Sequence, residues 1–501
     1  MATAADVNDK QWFGHPRGLA TLFFVEMWER FGYYGMRGLL VLFMTAAAAR
    51  GGLGFSDSEA GSIYGLVTSG VYLLSLPGGW IADRLLGQRR SVFWGGVIIS
   101  LGYLGLAIPT KLAFFLCLLL VVFGTGMLKP NASSIVGELY PEGGSRRDSG
   151  FSIFYSGINL GAFFGPIFCG YVGEKLNFRW GFALAGVGMI AGLIQYRFTD
   201  RYLKDAGHLK PEAKLPEARS ASLRQGATAG LIFVAVLATF GWLLNSGSIK
   251  VQLLASGMGY TIAATALIYF VYLMFFGGLN PQEKRGIGVI FVMFAFSAVF
   301  WAGFEQAGSS LNLFAERLTD RMILGWEMPA SWFQSINGIF IICFAPAFGA
   351  LWQFLARRGK DLSLVMKFAV GLVLLSGGFL LMVAAANNAS QEKPALPTWL
   401  LVFYLIQTFG ELCISPVGLS SVSKLAPARL AGQMMGVWFM GISLGNLIAG
   451  KAGGLVETLP MATLFGYVAL ATFVAGVLMP LVLRGAWARE ATEKMAGKAA
   501  G

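Results

Sequence analysis

Fourteen mostly apolar stretches follow one another along this chain of 501 residues, and about 20 such residues are enough to cross the ~30 Å hydrocarbon core of a bilayer as a helix. They run approximately 18–49, 58–82, 91–109, 112–139, 149–173, 178–197, 226–246, 251–277, 287–314, 332–355, 362–387, 397–422, 430–457 and 461–483. Lipid offers no hydrogen-bond partners, so backbone at that depth must satisfy itself, and the chain is confined to an all-α membrane fold. Composition agrees. Hydrophobic residues make up 56% and charged residues 13%, where a soluble chain carries about a quarter. The 67 glycines suit close helix packing in lipid. Soluble enzymes, disordered scaffolds and nucleic-acid binders are excluded.

The net charge of +12 belongs to the loops. Arg84, Arg89 and Arg90, Arg146 and Arg147, the stretch 197–224, Lys284 and Arg285, Arg357, Arg358 and Lys360, Lys424 and Arg429, and the tail from Arg484 fall in alternate loops. That asymmetry puts both termini in the cytoplasm. The first 18 residues lack a basic start followed by an apolar run, so no cleaved signal is expected and the first membrane helix directs insertion. Cys117, Cys169, Cys343 and Cys413 lie in apolar runs without a CxxC pair and read as small core residues; neither a disulfide framework, a metal site nor a cofactor is expected.

Two segments read as an internal repeat, with chance similarity among glycine-rich membrane helices as the alternative. FYSGINLG at 154–161 aligns with WFMGISLG at 438–445, and Gly170 matches Gly454 at the same offset. Setting aside the pair 226–277 leaves two sets of six spans with the aligned segments fifth in each. Two facing six-helix repeats with substrate near the midplane are a transporter architecture. The expected domains are an N-terminal bundle at 18–197, a cytoplasmic linker and extra helix pair at 198–285, a C-terminal bundle at 286–484 and a cytoplasmic tail at 485–501. The extra pair carries almost no intramembrane charge and reads as peripheral.

Ionisable groups at membrane depth cost at least ~2.5 kcal/mol each and are functional candidates by default. The first span carries Glu26, Glu29, Arg30 and Arg37, with Tyr33 and Tyr34. At about 100° per residue, Glu26, Arg30, Tyr33 and Arg37 form one stripe about 16 Å tall, flanked by Glu29 and Tyr34. Such a stripe must face water or other charges; a purely structural ion-pair cluster is the alternative. Lys129 in GTGMLKPN, Glu305 in FWAGFEQAGSSLN and Glu411 in FGELCISP are single charges in apolar runs. Pro130 and Pro416 interrupt the backbone ladder beside two of them, as in helices that bend around a site. In the repeat, Lys129 and Glu411 occupy equivalent spans, placing a cation on one wall of a cavity and an anion on the other. A zwitterion fits: carboxylate toward Arg37, Lys129 or Arg30, ammonium toward Glu411.

Burial and basic neighbours act on a buried glutamate in opposite senses, so a proton on Glu26, Glu29 or Glu305 can release a basic partner. A sodium site would need converging oxygens without basic neighbours, and protons are the simpler coupling ion. Tyr33, Tyr34, Tyr64, Tyr72, Tyr155, Trp301 and Trp438 are candidates for cavity walls, and Asn159, Asn312 and Asn337 for peptide-amide contacts. Each has ordinary packing or helix-to-helix bonding as its alternative.

The segment EMWERFGYYG at 26–35 resembles the ExxERFxYYG signature of the proton-dependent oligopeptide transporters of the major facilitator superfamily, matching every specified position. GGWIADRLLGQRR, with Gly79, Asp83, Arg84, Gly87, Arg89 and Arg90, is similar to the superfamily's loop motif after its second helix, where Asp and Arg latch helix ends; a degenerate echo spans Gly349 to Lys360. GTGMLKPN, FYSGINLG and the FEQ and GELCISP segments extend the likeness over nearly the whole chain, including the extra helix pair typical of bacterial members.

The resemblance implies a major facilitator fold of fourteen membrane helices in a bacterial inner membrane. It implies proton coupling through Glu26, Glu29 and Arg30, a gating pair of Glu305 with Arg37, the peptide carboxylate on Arg37 and Lys129, and the peptide amino group on Glu411. Tyr33, Tyr34, Asn159, Asn337, Trp301, Ser415 and Trp438 would line the pocket. Animal members often use a histidine, but His15 and His208 lie outside the spans, so coupling rests on carboxylates. The expected function is proton-coupled import of di- and tripeptides. The same-fold alternative is a carrier of another small solute, such as an amino acid, nitrate or a drug. An intramembrane enzyme lacks a nucleophile–base pair or metal ligands among the spans, and a channel has no need of matched halves.

Overall fold

Long helices occupy the places where the apolar stretches lie. The computed structural model describes residues 11–360 and 362–483; the expected tail at 485–501 lies outside them. The first six helices are α1 (Arg17–Thr45), α2 (Asp57–Leu86), α3 (Gln88–Gly105), α4 (Lys111–Glu138), α5 (Gly144–Leu176) and α6 (Phe178–Leu203). The extra pair is α7 (Pro216–Asn245) and α8 (Val251–Phe276). The last six are α9 (Pro281–Leu318), α10 (Ala330–Arg357), α11 (Leu364–Asn388), α12 (Thr398–Leu425), α13 (Ala431–Glu457) and α14 (Met461–Val482). Twelve are long and apolar enough to span a membrane by composition. The other two are α1, whose four buried charges lower its hydropathy, and α3, which opens on Arg89 and Arg90.

Local chemistry sets several helix ends. Asn280 caps α9 by accepting from Gln282 and Glu283 backbone N–H groups while the Glu283 carboxylate accepts from the Asn280 N–H, with Pro281 at the first position. α7 begins ten residues before the apolar stretch at 226, because Pro216, Glu217 and the Ala- and Arg-rich turn after them are good helix starters; the linker is correspondingly shorter than expected. Pro130 does not break α4, which runs through it unbroken from Lys111 to Glu138. Near it Asn131 donates to the Met127 carbonyl at 2.6 Å and to the Gly78 carbonyl at 3.4 Å. A hairpin of β1 (Met322–Ile323) and β2 (Trp326–Glu327) turns at Leu324 and Gly325, both at positive φ, as a two-residue primed turn requires.

Contacts divide the chain into two compact units, Met1–Phe43 with Gly70–Leu253, and Met44–Ser69 with Leu254–Gly501. The first turns of α2 thus belong with the second unit and the remainder with the first. Within the first unit, α5 lies against α1 through glycines. A Cβ on Gly157 would come within 2.8 Å of the Phe23 ring, and one on Gly161 within 2.3 Å of the Met27 carbonyl, 2.8 Å of Arg30 Cβ and 2.8 Å of the Phe31 nitrogen. Within the second unit, α13 lies against α9 in the same way. Gly441 meets Phe294, and a Cβ on Gly445 would stand 2.8 Å from the Ala298 carbonyl, 2.7 Å from Trp301 Cβ and 3.1 Å from the Ala302 nitrogen. The contacts match atom type for atom type, so the aligned octapeptides are two copies of one helix-packing device, small residues letting backbones approach. The correspondence makes Arg30 and Trp301 equivalent positions.

Three cysteines are buried, but Cys343 is exposed. It lies on α10, much of whose surface is left open by its neighbours. The expectation of four core cysteines fails there.

Candidate functional site

In the first unit the motif residues of α1 converge as the helical spacing requires. Glu26 and Glu29 are fully buried and Arg30 is 3% exposed. The Arg30 Nε pairs with Glu29 and lies 3.6 Å from Glu26 Oε1. Thr125 of α4 donates to Glu29 Oε1 at 3.3 Å. Among the described residues, neither Glu26 oxygen accepts a hydrogen bond. The Arg30 guanidinium stacks 4.8 Å over the Tyr33 ring and that of Arg37 lies 5.5 Å over Tyr34, the two tyrosines meeting edge to face. Arg37 is buried.

Lys129 of α4 is partly exposed and holds its ammonium 4.3 Å over the Tyr72 ring of α2. Arg30, Glu29 and Lys129 all act electrostatically on the Glu26 carboxyl. One buried carboxylate thus sits among two cations and a second acid, an arrangement in which gain or loss of one proton redistributes the pairs. Asn159 donates to the Tyr155 carbonyl of its own helix at 2.9 Å, the helix-internal bonding that was its alternative reading.

In the second unit Glu305 sits where α9 tightens into a 3₁₀ turn (Glu305–Gly308). It accepts from the Tyr64 hydroxyl at 3.0 Å, and the same hydroxyl is 3.2 Å from the Glu305 carbonyl. Glu411 of α12, nearly buried, accepts from Asn337 Nδ2 at 3.0 Å, and that amide also donates to Thr408 at 3.0 Å. Trp301 stands edge-on to Phe304, and the Ser415 hydroxyl is buried without a hydrogen-bond partner among the described residues. Trp438 is 2% exposed and fills the space above Gly418, where a Cβ would come within 2.3 Å of its ring. It is packed between helices of its own unit.

The same unit clasps the beginning of α2. Arg317 donates to both oxygens of Asp57 at 2.7 Å each, Ser69 and Ser443 pair through their hydroxyls, and Gly61 and Gly450 pack backbone to backbone.

Several members of these clusters have no signature of their own. Thr125 lies one turn before Lys129 on α4, a spacing that places both on one face, and this signal could have found it. Tyr103 of α3 is fully buried, its ring against Gly32, its hydroxyl without a partner among the described residues yet within electrostatic reach of Glu29 and Arg30. Thr408 likewise enters only through tertiary contacts, and Tyr64, a candidate for the cavity wall, gains its partner Glu305 only there. In the loop motif after α2, Gly87 (φ +82°) leaves room for the Leu209 nitrogen, which a Cβ would approach to 2.7 Å. Arg89 then donates to the Ala206 carbonyl at 2.6 Å and to that of Lys204, which ties the start of α3 to the turn after α6.

Two six-helix repeats and an extra helix pair, with ionisable side chains buried in each repeat, define a multi-pass membrane transporter. The family model described as the POT family matches residues 89–467, and the chain belongs to that family. It is 39% identical over 491 residues to the peptide transporter YePEPT of Yersinia enterocolitica, covering 95% of each chain. It is 34% identical over 488 residues to a di-/tripeptide transporter of Lactococcus lactis, covering 95% of this chain and 96% of that protein. Among solved structures it is similar to a mutant of a peptide transporter POT in complex with alafosfalin, at 37% identity and a TM-score of 0.86 over 98% of each chain.

Proposed function

We propose that the protein is a proton-coupled symporter that imports di- and tripeptides by alternating access across a bacterial inner membrane, with both termini in the cytoplasm. The observation that carries the reading is the buried stripe of α1, in which Glu26 and Glu29 share Arg30 while the Glu26 oxygens accept no hydrogen bond among the described residues. A carboxylate held that way has a partner to give up when it takes a proton. The names of the relatives support peptides as cargo. Lysine and arginine in alternate loops support the orientation.

The first unit supplies cations, Arg37 and Lys129, for the substrate carboxylate. The second supplies Glu411, held by Asn337, for the amino group. Tyr33, Tyr34, Trp301 and Ser415 offer aromatic or hydroxyl surface for backbone and side chains; Asn159 and Trp438, committed to their own packing, are the weakest of the lining residues. Protonation of Glu26 frees Arg30, and Glu305, Arg37 and Tyr64 act at the gate. A proton-coupled carrier of another small solute is the second reading. It rests on the same charges, which any amino acid also matches.

The test is competition for uptake of a labelled dipeptide into proteoliposomes. A free dipeptide is expected to compete fully, and its N-acetylated and C-amidated forms each at least about tenfold less well, the loss of one charge-assisted contact. Full competition by both blocked forms would refute recognition of the two termini, and full competition by single amino acids would favour the second reading.

A further inference from the structure

A groove of about 460 Å³ opens on the outer surface of the first unit, away from the charged clusters. Its floor is Met27, Trp28 and Phe31 of α1, and its walls are Gly161, Phe164 and Phe168 of α5 and Leu184, Val187, Gly188 and Ala191 of α6. On α1 these residues lie about 135° around the helix from the stripe of Glu26, Arg30, Tyr33 and Arg37, at about 100° per residue. The groove exists because glycines bring the walls onto that floor. A Cβ on Gly188 would fall 2.7 Å from the Phe31 ring, and one on Gly192 2.7 Å from Trp28 Cβ.

Two features identify the occupant. The walls are exposed apolar side chains at mid-helix, Phe168 at 53% and Val187 at 55%, so at this depth they meet hydrocarbon. At helical spacing Tyr171 follows Phe164 and Phe168 on one face of α5, and Trp180 precedes Leu184, Val187 and Ala191 on one face of α6; both aromatics stand exposed near the turn between the two helices. Aromatic side chains of that kind mark the headgroup level. From Trp180 to Ala191 is about 16 Å at ~1.5 Å per residue, roughly half of a ~30 Å core.

We propose that this groove binds one acyl chain of a phospholipid from the leaflet at the α5–α6 turn. The headgroup rests beside Tyr171 and Trp180, and the chain tip lies against the reverse face of the ExxER helix. The site is distinct from the bulk lipid shell because Met27, Trp28 and Phe31 form a recessed floor.

The test is photolabelling of the full-length protein in vesicles of phosphatidylethanolamine and phosphatidylglycerol containing a trace of phosphatidylethanolamine with a diazirine in its acyl chain. Residues 161–168 and 184–191 are expected to label about tenfold more per residue than the exposed face of α14 around Leu470 and Phe473, and the double variant V187F/A191F to lose that excess while α14 labelling stays constant. The single variant A191F, at the deep end of the groove, is expected to lose part of the excess, so the proposal stands or falls even if the double variant does not insert. Equal labelling of the groove and α14, or an excess that survives filling, would overturn the proposal. So would efficient disulfide formation between copies carrying V187C, which would make the face an interface between two chains.

Discussion

Replacing Glu26 by Gln removes the one acid of α1 whose oxygens accept no hydrogen bond among the described residues. It stands 3.6 Å from the Arg30 guanidinium, where two unit charges attract by about 5 kcal/mol at an effective dielectric of ~20. That attraction is present with the proton absent and lost with it bound, which makes it large enough to gate the release of Arg30. Gln holds the site in the released condition at every pH. An imposed gradient of one pH unit supplies ~1.4 kcal/mol per proton, or about tenfold accumulation per coupled proton. In proteoliposomes, wild-type protein is expected to concentrate a labelled dipeptide by that factor per proton. E26Q is expected to equilibrate it without concentrating it, while counterflow exchange continues. Normal accumulation by E26Q would remove Glu26 from coupling; loss of both accumulation and exchange would show a structural role only.

Lys129→Ala is expected to weaken uptake of free dipeptides by about tenfold and of C-amidated ones little, read as half-inhibitory concentrations; equal losses would contradict a carboxylate role. Gly161→Ala and Gly445→Ala press a methyl into backbone carbonyls at 2.3 Å and 2.8 Å contacts respectively, and each is expected to cost about 1–3 kcal/mol, measured as lowered thermal midpoints. A neutral Gly445→Ala would break the equivalence of the two packing sites. Asp57→Asn, which removes one charge of a bidentate pair that is partly exposed, is expected to cost up to about 1 kcal/mol and to raise thiol labelling of Cys introduced at Ser62. Burial, then the charge of Arg146, hold the His15 imidazole below its ordinary value of 6.5; its ring bonds the Tyr140 hydroxyl at 2.9 Å. A depressed histidine favours the folded contact above about pH 6.5 and opposes it as pH falls further. Proteolysis ahead of α1 is therefore expected to quicken below that pH and not above it.

The helices and the repeat were legible because hydrophobic length and small-residue spacing are local properties of the chain. The stripe of α1 was legible for the same reason, since four residues at helical spacing share a face whatever surrounds them. What fills the remaining sides of each charge was not. Thr125 and Tyr103 reach Glu29 and Arg30 from α4 and α3, and Tyr64 reaches Glu305 from α2, through crossings that no one segment encodes. The packing of the Trp438 ring into the space above Gly418 was not legible either, because a glycine's consequence depends on the helix opposite.

The most direct test of the central claim is uptake of a labelled dipeptide by wild-type protein in vesicles, with and without an imposed proton gradient, external pH held constant. Concentrative uptake that appears with the inward proton gradient and collapses when a proton ionophore and permeant counter-ion clamp both gradient and membrane potential is the expected result. Undiminished accumulation with both clamped at zero would contradict proton coupling.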